Sequence, residues 1–186
     1  MDKGKIIFLN GVSSSGKTTL AKILQERLSE PFFWLSIDRF TEISPFRRHW
    51  ESNVAWETYN KMFTAFHHTI KAFSDVGVNV IVDHVQVKEP NTMEECLKVL
   101  HEYPVLFVHV ICPLEELRRR EKERGDRGIG QAEGQLPNLC PQDNTYDITI
   151  DTFANSTEEC ADKIIEMLDY PEKFTAFKIL WEEIKN

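Results

Sequence analysis

A glycine- and serine-rich segment near the start of the chain constrains the fold more than any other feature of the sequence. Residues 11–19 read Gly-Val-Ser-Ser-Ser-Gly-Lys-Thr-Thr and fit the pattern G-x4-G-K-[ST] at its full spacing. Lys5–Asn10, just before this segment, form an apolar stretch of buried-strand length, and the apolar residues after it recur at helical spacing: Leu20, Ile23, Leu24 and Leu28. The sequence therefore predicts a strand, a phosphate-binding loop and a helix in direct succession.

The predicted loop has the chemistry to bind a nucleoside triphosphate together with magnesium. Gly11 and Gly16 permit backbone conformations that a Cβ would hinder, so successive N–H groups can converge on phosphate oxygens at the positive end of the following helix. The predicted ATP-binding residues are the nine of the segment: Gly11, Val12, Ser13, Ser14, Ser15, Gly16, Lys17, Thr18 and Thr19. Among them, Lys17 is expected to reach the β- and γ-phosphates, and the Thr18 hydroxyl to bind Mg²⁺. The alternative is a Ser/Gly-rich turn that precedes a lysine by chance and binds no nucleotide.

Strand and helix patterns alternate through the rest of the chain. Short apolar runs predict four more strands, at residues 32–37, 78–82, 105–111 and 146–151. Apolar spacing and capping signals predict five more helices, at residues 56–73, 90–100 and 113–124, from Ser156 and from Pro171. Residues 39–53 look irregular. Because the strands lack a two-residue alternation of polarity, we expect an α/β fold with a five-stranded parallel sheet and helices on both faces.

Composition and charge narrow the class of protein. The 186 residues suit a single domain, residues 1–186, with one core. The four cysteines, at positions 96, 112, 140 and 160, lack metal-ligand spacing and are interpreted as ordinary buried thiols of a reducing compartment. A formal net charge of −8 repels a nucleic-acid backbone, and neither a secretory signal nor an apolar run of the ~20 residues that span a bilayer is recognisable. We expect a cytoplasmic protein that binds small anions locally, with no nucleic-acid or membrane partner.

Two carboxylates follow predicted strands at the same edge of the sheet as the loop. In parallel sheets ligands bind beyond the carboxyl ends of the strands, where Gly11, Asp38 and Asp83 would lie together. Asp38 is the candidate catalytic base that accepts a hydroxyl proton, and a helix N-cap before Arg39 is its alternative role. Asp83 is the candidate that holds the metal through water, with a second base as its competing role. We interpret His84 as a packed, hydrogen-bonded histidine rather than a catalyst.

A basic and glycine-rich segment in the second half of the chain predicts a lid at about residues 118–138. Arg120 and Arg124 are four residues apart and share a helix face, and Arg127 follows the glycine that ends the helix. These arginines and Lys17 are the candidate catalytic cations, since cations offset the charge of a migrating phosphoryl group. Four of the eight glycines, at positions 125, 128, 130 and 134, supply hinges. A charged, solvated helix face is the alternative, which we favour for the other cations of the segment: Arg118, Arg119 and Lys122.

Together these features resemble the P-loop small-molecule kinases typified by chloramphenicol phosphotransferase, within the broader nucleotide- and shikimate-kinase group. The resemblance covers most of the chain and rests on five segments: Ile7–Lys17, Ile37-Asp38 with Pro45, Ile81–Asp83, Arg120–Arg127 and Tyr146–Thr152. It implies the three-layer P-loop NTPase fold and ATP-dependent phosphorylation of a hydroxyl group on a small molecule. Asp38 would be the base, and Arg120, Arg124 and Arg127 would lie in the lid. The resemblance also implies that Thr152–Asn155 border the adenine.

The match to this family is weakest in residues 39–76, where the acceptor pocket should lie. Arg47 and Arg48 are the candidate acceptor-binding residues there, for an anionic substrate, and a solvated loop is the alternative. Three other functions stay open beside the small-molecule phosphotransferase. They are a nucleotide or nucleoside kinase, a toxin-type kinase of a sugar nucleotide, and a nucleotide-dependent regulatory ATPase.

Overall fold

The computed structural model describes residues 2–43, 53–88, 91–125, 129–143 and 145–185. Five strands lie among them: β1 (Ile6–Asn10), β2 (Phe32–Ser36), β3 (Asn79–His84), β4 (Val105–Ile111) and β5 (Ile148–Asp151). The α-helices of the described part are α1 (Lys17–Arg27), α2 (Ile37–Glu42), α3 (Asn53–Asp75), α4 (Thr92–Leu100), α5 (Leu114–Arg124), α6 (Gln131–Gln135), α7 (Thr157–Met167) and α8 (Ala176–Lys185). Short 3-10 turns occupy Leu136–Asn138 and Pro171–Lys173.

The five strands form one parallel sheet in the order β2-β3-β1-β4-β5. β1 lies at its centre, where Ile6 pairs with Val80 on one side and with Val105 on the other. Every residue of β1 is buried, as expected for a strand covered by helices on both faces. The predicted α/β fold with a five-stranded parallel sheet is confirmed.

Two apolar layers pack the helices against the sheet. On one face, Ile7 and Leu9 belong to an apolar cluster with side chains from α1 and α7: Leu20, Leu24, Cys160, Ala161 and Ile164. On the other face, Ile6 and Phe8 belong to a second cluster with side chains from α3, α4 and α8: Phe66, Ile70, Cys96, Leu97, Leu100, Ala176, Phe177 and Leu180. Successive β1 residues thus point into opposite layers. The helix predicted for residues 56–73 contributes Phe66 and Ile70 to the second layer, with Phe73 packed against it.

Two segments without a sequence signal for helix are helical. β2 ends at Ser36, one residue earlier than predicted, and α2 follows at once. The prediction that residues 39–53 are irregular is therefore wrong for residues 39–42. The glycine-rich stretch contains α6, with Gly130 as its N-cap at φ 88°. Both helices are shorter than two turns, which is too short for an apolar periodicity to emerge in the sequence.

One aspartate accounts for two further differences at element boundaries. The Asp147 carboxylate accepts the Phe107 amide at 2.8 Å, so a side chain takes the place of the ladder acceptor and β5 starts two residues later than predicted. The same carboxylate accepts the Thr175 and Ala176 amides at 2.8 and 2.9 Å. Because it satisfies these amides, the last helix begins at Ala176 and not at Pro171.

The structure also bears on two predictions from composition. All four cysteines are free, as predicted. Cys96 and Cys160 are buried in the apolar layers, whereas Cys112 and Cys140 are only half-buried, so the predicted burial is wrong for these two. In the described part of the chain, no helix combines the length and the apolar character needed to cross a bilayer.

Candidate active site

The loop between β1 and α1 turns sharply before the helix begins at Lys17. Ser14 and Gly16 have positive φ angles of 61° and 101°, and Gly16 is the N-cap of α1. Gly11 is required for a different reason, because a Cβ there would lie 2.3 Å from the carbonyl oxygen of Val110 on β4. The loop can therefore pass over the end of β4 only if its first residue has no side chain.

Polar groups without a protein partner gather at this loop. The first amides of α1 have no acceptor within the helix and point out of its positive end. The hydroxyl oxygens of Ser14 and Ser15 are buried and have no hydrogen-bond partner among the described residues. Buried groups without partners are uncommon in folded proteins. Together with the helix end they make this loop a fit for the polyphosphate of ATP.

Lys17, Thr18 and Asp83 form one buried to half-buried cluster beneath the loop. Lys17 Nζ donates to the carbonyl oxygens of Gly11 and Val12 at 2.8 and 2.9 Å and lies 4.0 Å from Asp83 Oδ1. The Thr18 hydroxyl donates to Asp83 Oδ2 at 2.7 Å. Hydroxyl and carboxylate oxygens are the hard ligands that Mg²⁺ prefers, and this ion retains several of its waters in such sites. The donor set therefore fits Mg²⁺.

A cleft of about 460 Å³ opens above the carboxyl ends of the strands. Nine of the predicted site residues line it: Ser14, Gly16, Lys17, Thr18, Thr19, Asp38, Asp83, Arg120 and Arg124. Asp38 enters from the first turn of α2, whose N-cap is Ser36, so the capping role considered for Asp38 is wrong. The Asp38 side chain is exposed. Burial, and then the charge of Asp38, raise the pKa of Tyr59 on α3.

Two arginines of α5 line the cleft in different ways. Arg120 donates to the carbonyl and hydroxyl oxygens of Thr152, both at 3.0 Å, and to Glu116 at 2.8 Å. It also lies 3.4 Å from the Ser14 carbonyl of the phosphate loop. Arg124, one turn later, is exposed. Arg120 is therefore fixed by the protein itself, between the phosphate loop and the segment after β5.

The remaining predicted basic residues lie elsewhere. Arg118 and Arg119 pair with glutamates at the surface, in agreement with a solvated helix face. Arg127, Arg47 and Arg48 lie outside the described residues.

Thr152, which follows β5, supports the second half of the phosphate loop. Its hydroxyl donates to the carbonyl oxygen of Ser15 at 2.7 Å and lies 3.3 Å from that of Ile111. A Cβ on Gly16 would meet the Thr152 side chain at 3.2 Å. The sequence singles out Thr152 only through the family resemblance, and nothing in the pattern around it signals this contact.

Residues 130–140, which we call the brace, pack against the first half of the loop. Val12 shares an apolar cluster with three side chains of α5 and the brace: Leu117, Ala132 and Leu139. The buried carboxylate of Glu121 on α5 accepts the amides of Gly130 and Ala132 at 2.9 and 2.6 Å. Sequence reasoning missed Glu121, although its position one turn after Leu117 on the same helix face is a signal of burial.

His84 is packed under the cleft among aromatic rings. Its Nδ1 accepts the Val85 amide at 2.9 Å, and the Phe63 ring stacks on it at 5.5 Å between centroids. Burial lowers the pKa of His84 well below 6.5 and that of neighbouring His67 to about 3. Both imidazoles are therefore neutral, as expected of packed histidines. The Nε2 atom of His84 has no partner among the described residues.

Three comparisons with known proteins all find phosphotransferases or kinases. The chain matches the family described as chloramphenicol phosphotransferase-like protein over residues 4–169. A Mycobacterium tuberculosis (strain H37Rv) protein provisionally named an O-phosphotransferase is 32% identical over 203 residues, which cover 96% of this chain and 89% of the relative. The adenylyl-sulfate kinase of Clostridium acetobutylicum is 24% identical over 178 residues, which cover 89% of this chain and 84% of the relative.

A solved structure gives the same answer for the fold. The APS kinase of Mycobacterium tuberculosis, in complex with AMPPNP and APS, is similar at a TM-score of 0.69 and 19% identity. The match covers 91% of this chain and 99% of that one. The protein therefore has the fold of P-loop kinases, and the extent of the family match shows that it belongs to the chloramphenicol phosphotransferase-like family.

Proposed function

We propose that this protein transfers the γ-phosphoryl group of Mg·ATP to a hydroxyl group of a small molecule. The observation that supports this most is the composition of the cleft, which has Lys17, Thr18 and Asp83 on its phosphate side and the exposed carboxylate of Asp38 in the same space. A regulatory ATPase needs only the phosphate-binding part. A second carboxylate within the cleft favours a reaction in which an alcohol loses a proton.

The reaction assigns a role to each group. The acceptor oxygen attacks the γ-phosphorus, its proton passes to Asp38, and the bond to the bridging oxygen of the departing ADP breaks. Lys17 binds the β- and γ-phosphates, and Arg120, Arg124 and Arg127 offset the charge that spreads over the migrating group. Mg²⁺, held by Thr18 and through water by Asp83, would neutralise phosphate charge.

We further propose which segments of the chain surround the bound nucleotide. The chain forms one domain. Of the segment at about residues 118–138, the part up to Arg127 acts as a lid over the phosphates, because the part from Gly130 onward is held against the phosphate loop as the brace. Thr152–Asn155 border the adenine, and Phe153, 61% exposed on that loop, offers an aromatic face to it.

A nucleotide-type acceptor is the second candidate. The likeness to the adenylyl-sulfate kinase of Clostridium acetobutylicum over 89% of this chain favours it. Arg47 and Arg48 would then bind the anionic part of the acceptor. Sugar nucleotides belong to the same anionic class.

The acceptor is found by offering γ-labelled ATP with a panel of hydroxyl compounds and measuring which of them acquires the label. The panel contains neutral antibiotics such as chloramphenicol, nucleosides, sugar nucleotides and adenylyl sulfate. We expect label in one of these classes. Slow ATP hydrolysis that no hydroxyl compound accelerates would favour the regulatory ATPase instead.

The Asp38→Asn variant tests the base. Because the substitution removes the proton acceptor and leaves the phosphate loop intact, we expect unchanged Mg·ATP binding by calorimetry and at least a ~100-fold loss of turnover. Lys17→Ala should abolish productive use of ATP. Glu42→Gln, which makes the same change elsewhere on α2, is the matched control and should keep full activity. Full activity in Asp38→Asn would transfer the role of base to Asp83.

A further inference from the structure

The brace is fixed at both ends to neighbouring elements, one of which, β1, leads into the phosphate loop. Glu121 of α5 binds its first amides. Two backbone hydrogen bonds join its far end to residues 86–88 after β3, from Lys88 N to Asn138 O at 2.8 Å and from Cys140 N to Gln86 O at 2.9 Å, and together they form an antiparallel bridge between Val87 and Leu139. Asn10, the last residue of β1, donates its side-chain amide to the Cys140 carbonyl at 2.6 Å. The brace therefore has a defined position relative to β1.

Between these anchors, Gln135 of the brace reaches the phosphate loop. The backbone amide of Ser13 donates to Gln135 Oε1 at 2.6 Å. The orientation of the Gln135 amide is fixed by this contact, because an N–H group can only donate and the atom opposite must be the oxygen. Ser13 is 1% exposed, so water cannot take the place of Gln135 without a rearrangement of the loop.

This contact divides the loop into two functional halves. The Ser13 amide is engaged by the brace and is not directed at a phosphate, and Val12 before it is packed in the apolar cluster of the brace. The described residues that line the cleft include Ser14 and Gly16. The first half of the loop is thus a support. The Ser15 amide donates to the Val12 carbonyl at 3.3 Å, so the amides of Ser14 and of the residues from Gly16 onward are the ones available to a phosphate.

The support is linked to Lys17 as well. Lys17 Nζ donates to the Val12 carbonyl at 2.9 Å, and this carbonyl belongs to the same peptide group as the Ser13 amide. Gln135 and Lys17 therefore hold the two ends of one peptide unit. A rotation of that unit would release Ser13 from Gln135 and Lys17 from Val12 together.

We propose that Gln135 is a positioning residue for the nucleotide: it holds the Val12–Ser13 peptide in the orientation that directs the Lys17 ammonium, the Ser14 amide and the amides from Gly16 onward at the phosphates. The inference rests on the proposed function only in that the ligand of the loop is Mg·ATP. Gln135 does not itself contact the nucleotide in this proposal.

The test compares two methionine variants of the same helix. Gln135→Met keeps the length of the side chain and removes the acceptor, whereas Gln131→Met makes the same change at an exposed position of α6. Calorimetry with Mg·ATP should give an association about 5- to 150-fold weaker for Gln135→Met, the range expected when a buried donor loses its acceptor, and an unchanged one for Gln131→Met. An unchanged affinity in Gln135→Met would overturn the proposal.

A second measurement covers the case in which Gln135→Met folds poorly. The Ser13 amide of the wild-type protein should exchange its hydrogen slowly in NMR experiments, since it is buried and bonded. Rapid exchange of this amide in the folded protein would contradict the proposal. If the wild-type protein binds no Mg·ATP, the proposed function fails, and the exchange of the Ser13 amide in Gln131→Met and Gln135→Met still decides whether Gln135 holds the loop.

Discussion

Among single residues, Asp83 has two partners that need it for different reasons. Its Oδ2 accepts the Thr18 hydroxyl at 2.7 Å, while its Oδ1 lies 4.0 Å from the Lys17 ammonium. An amide oxygen can replace the first contact, but in the proposed metal site only a carboxylate would supply the charge that holds the waters of Mg²⁺. The hydrogen bond and the charge can therefore be separated by one substitution.

Asp83→Asn should raise the Mg²⁺ concentration needed for half-maximal ATP binding about tenfold, because groups that act on a metal through its other ligands contribute at least this much to affinity. The measurement is a Mg²⁺ titration of ATP binding by calorimetry. Asp162→Asn on α7 is the control, since Asp162 is exposed and pairs with Arg27 far from the loop. A magnesium requirement equal to that of the wild-type protein would exclude Asp83 from the metal site.

The sequence predicts a site residue well when the groups that define its role lie close to it in the chain, and poorly when they lie far away. Lys17 and Thr18 are predicted because their role is encoded within one short pattern. Gln135 and Thr152 act through contacts to Ser13 and Ser15 that span 122 and 137 residues. Neither contact leaves a periodicity or spacing in the sequence, so only the folded chain reveals them.

Among the elements, α5 connects the parts of the cleft. Leu117 packs against Val12 of the phosphate loop, Arg120 donates to Thr152, and Glu121 binds the first amides of the brace. These residues lie within two turns of one helix and face three different neighbours. The position of the brace should therefore depend on Glu121 in particular, since Glu121 is buried and its two acceptor oxygens are both used.

Glu121→Ala should lower the free energy of unfolding by roughly 2–4 kcal/mol, because the Gly130 and Ala132 amides lose their acceptors. Urea unfolding followed by circular dichroism measures this change. The exposed Glu115→Ala variant of the same helix loses only a first-turn charge and should cost less than about 1 kcal/mol. Equal losses in the two variants would mean that Glu121 does not anchor the brace.

The elements themselves differ in how well the sequence predicts them. β4 is predicted at both ends and β1 to within one residue, since a buried parallel strand is a continuous apolar run. α2 and α6 are not predicted from the sequence because each has less than two turns over which an apolar pattern could repeat. The start of α8 is not predicted because Asp147, which is remote in sequence, caps this helix.

At the scale of the whole molecule, buried imidazoles make stability depend on pH. Burial lowers the pKa of His67 to about 3 and that of His109 to about 4, and it holds the pKa of His84 well below 6.5. In the unfolded chain these histidines titrate near pH 6.5. Between about pH 6.5 and 4 the unfolded state therefore binds more protons than the folded state, and the free energy of unfolding falls as the pH is lowered through this window.

His67→Gln should flatten this dependence by the equivalent of one proton, about 1.4 kcal/mol per pH unit between about pH 6 and 4. Urea unfolding at a series of pH values measures the slope. A packing defect in His67→Gln would shift the whole curve without altering its slope, because the slope counts only protons. An unchanged slope in His67→Gln would therefore mean that His67 is protonated in the folded protein, and that the core around His84 accommodates a charge.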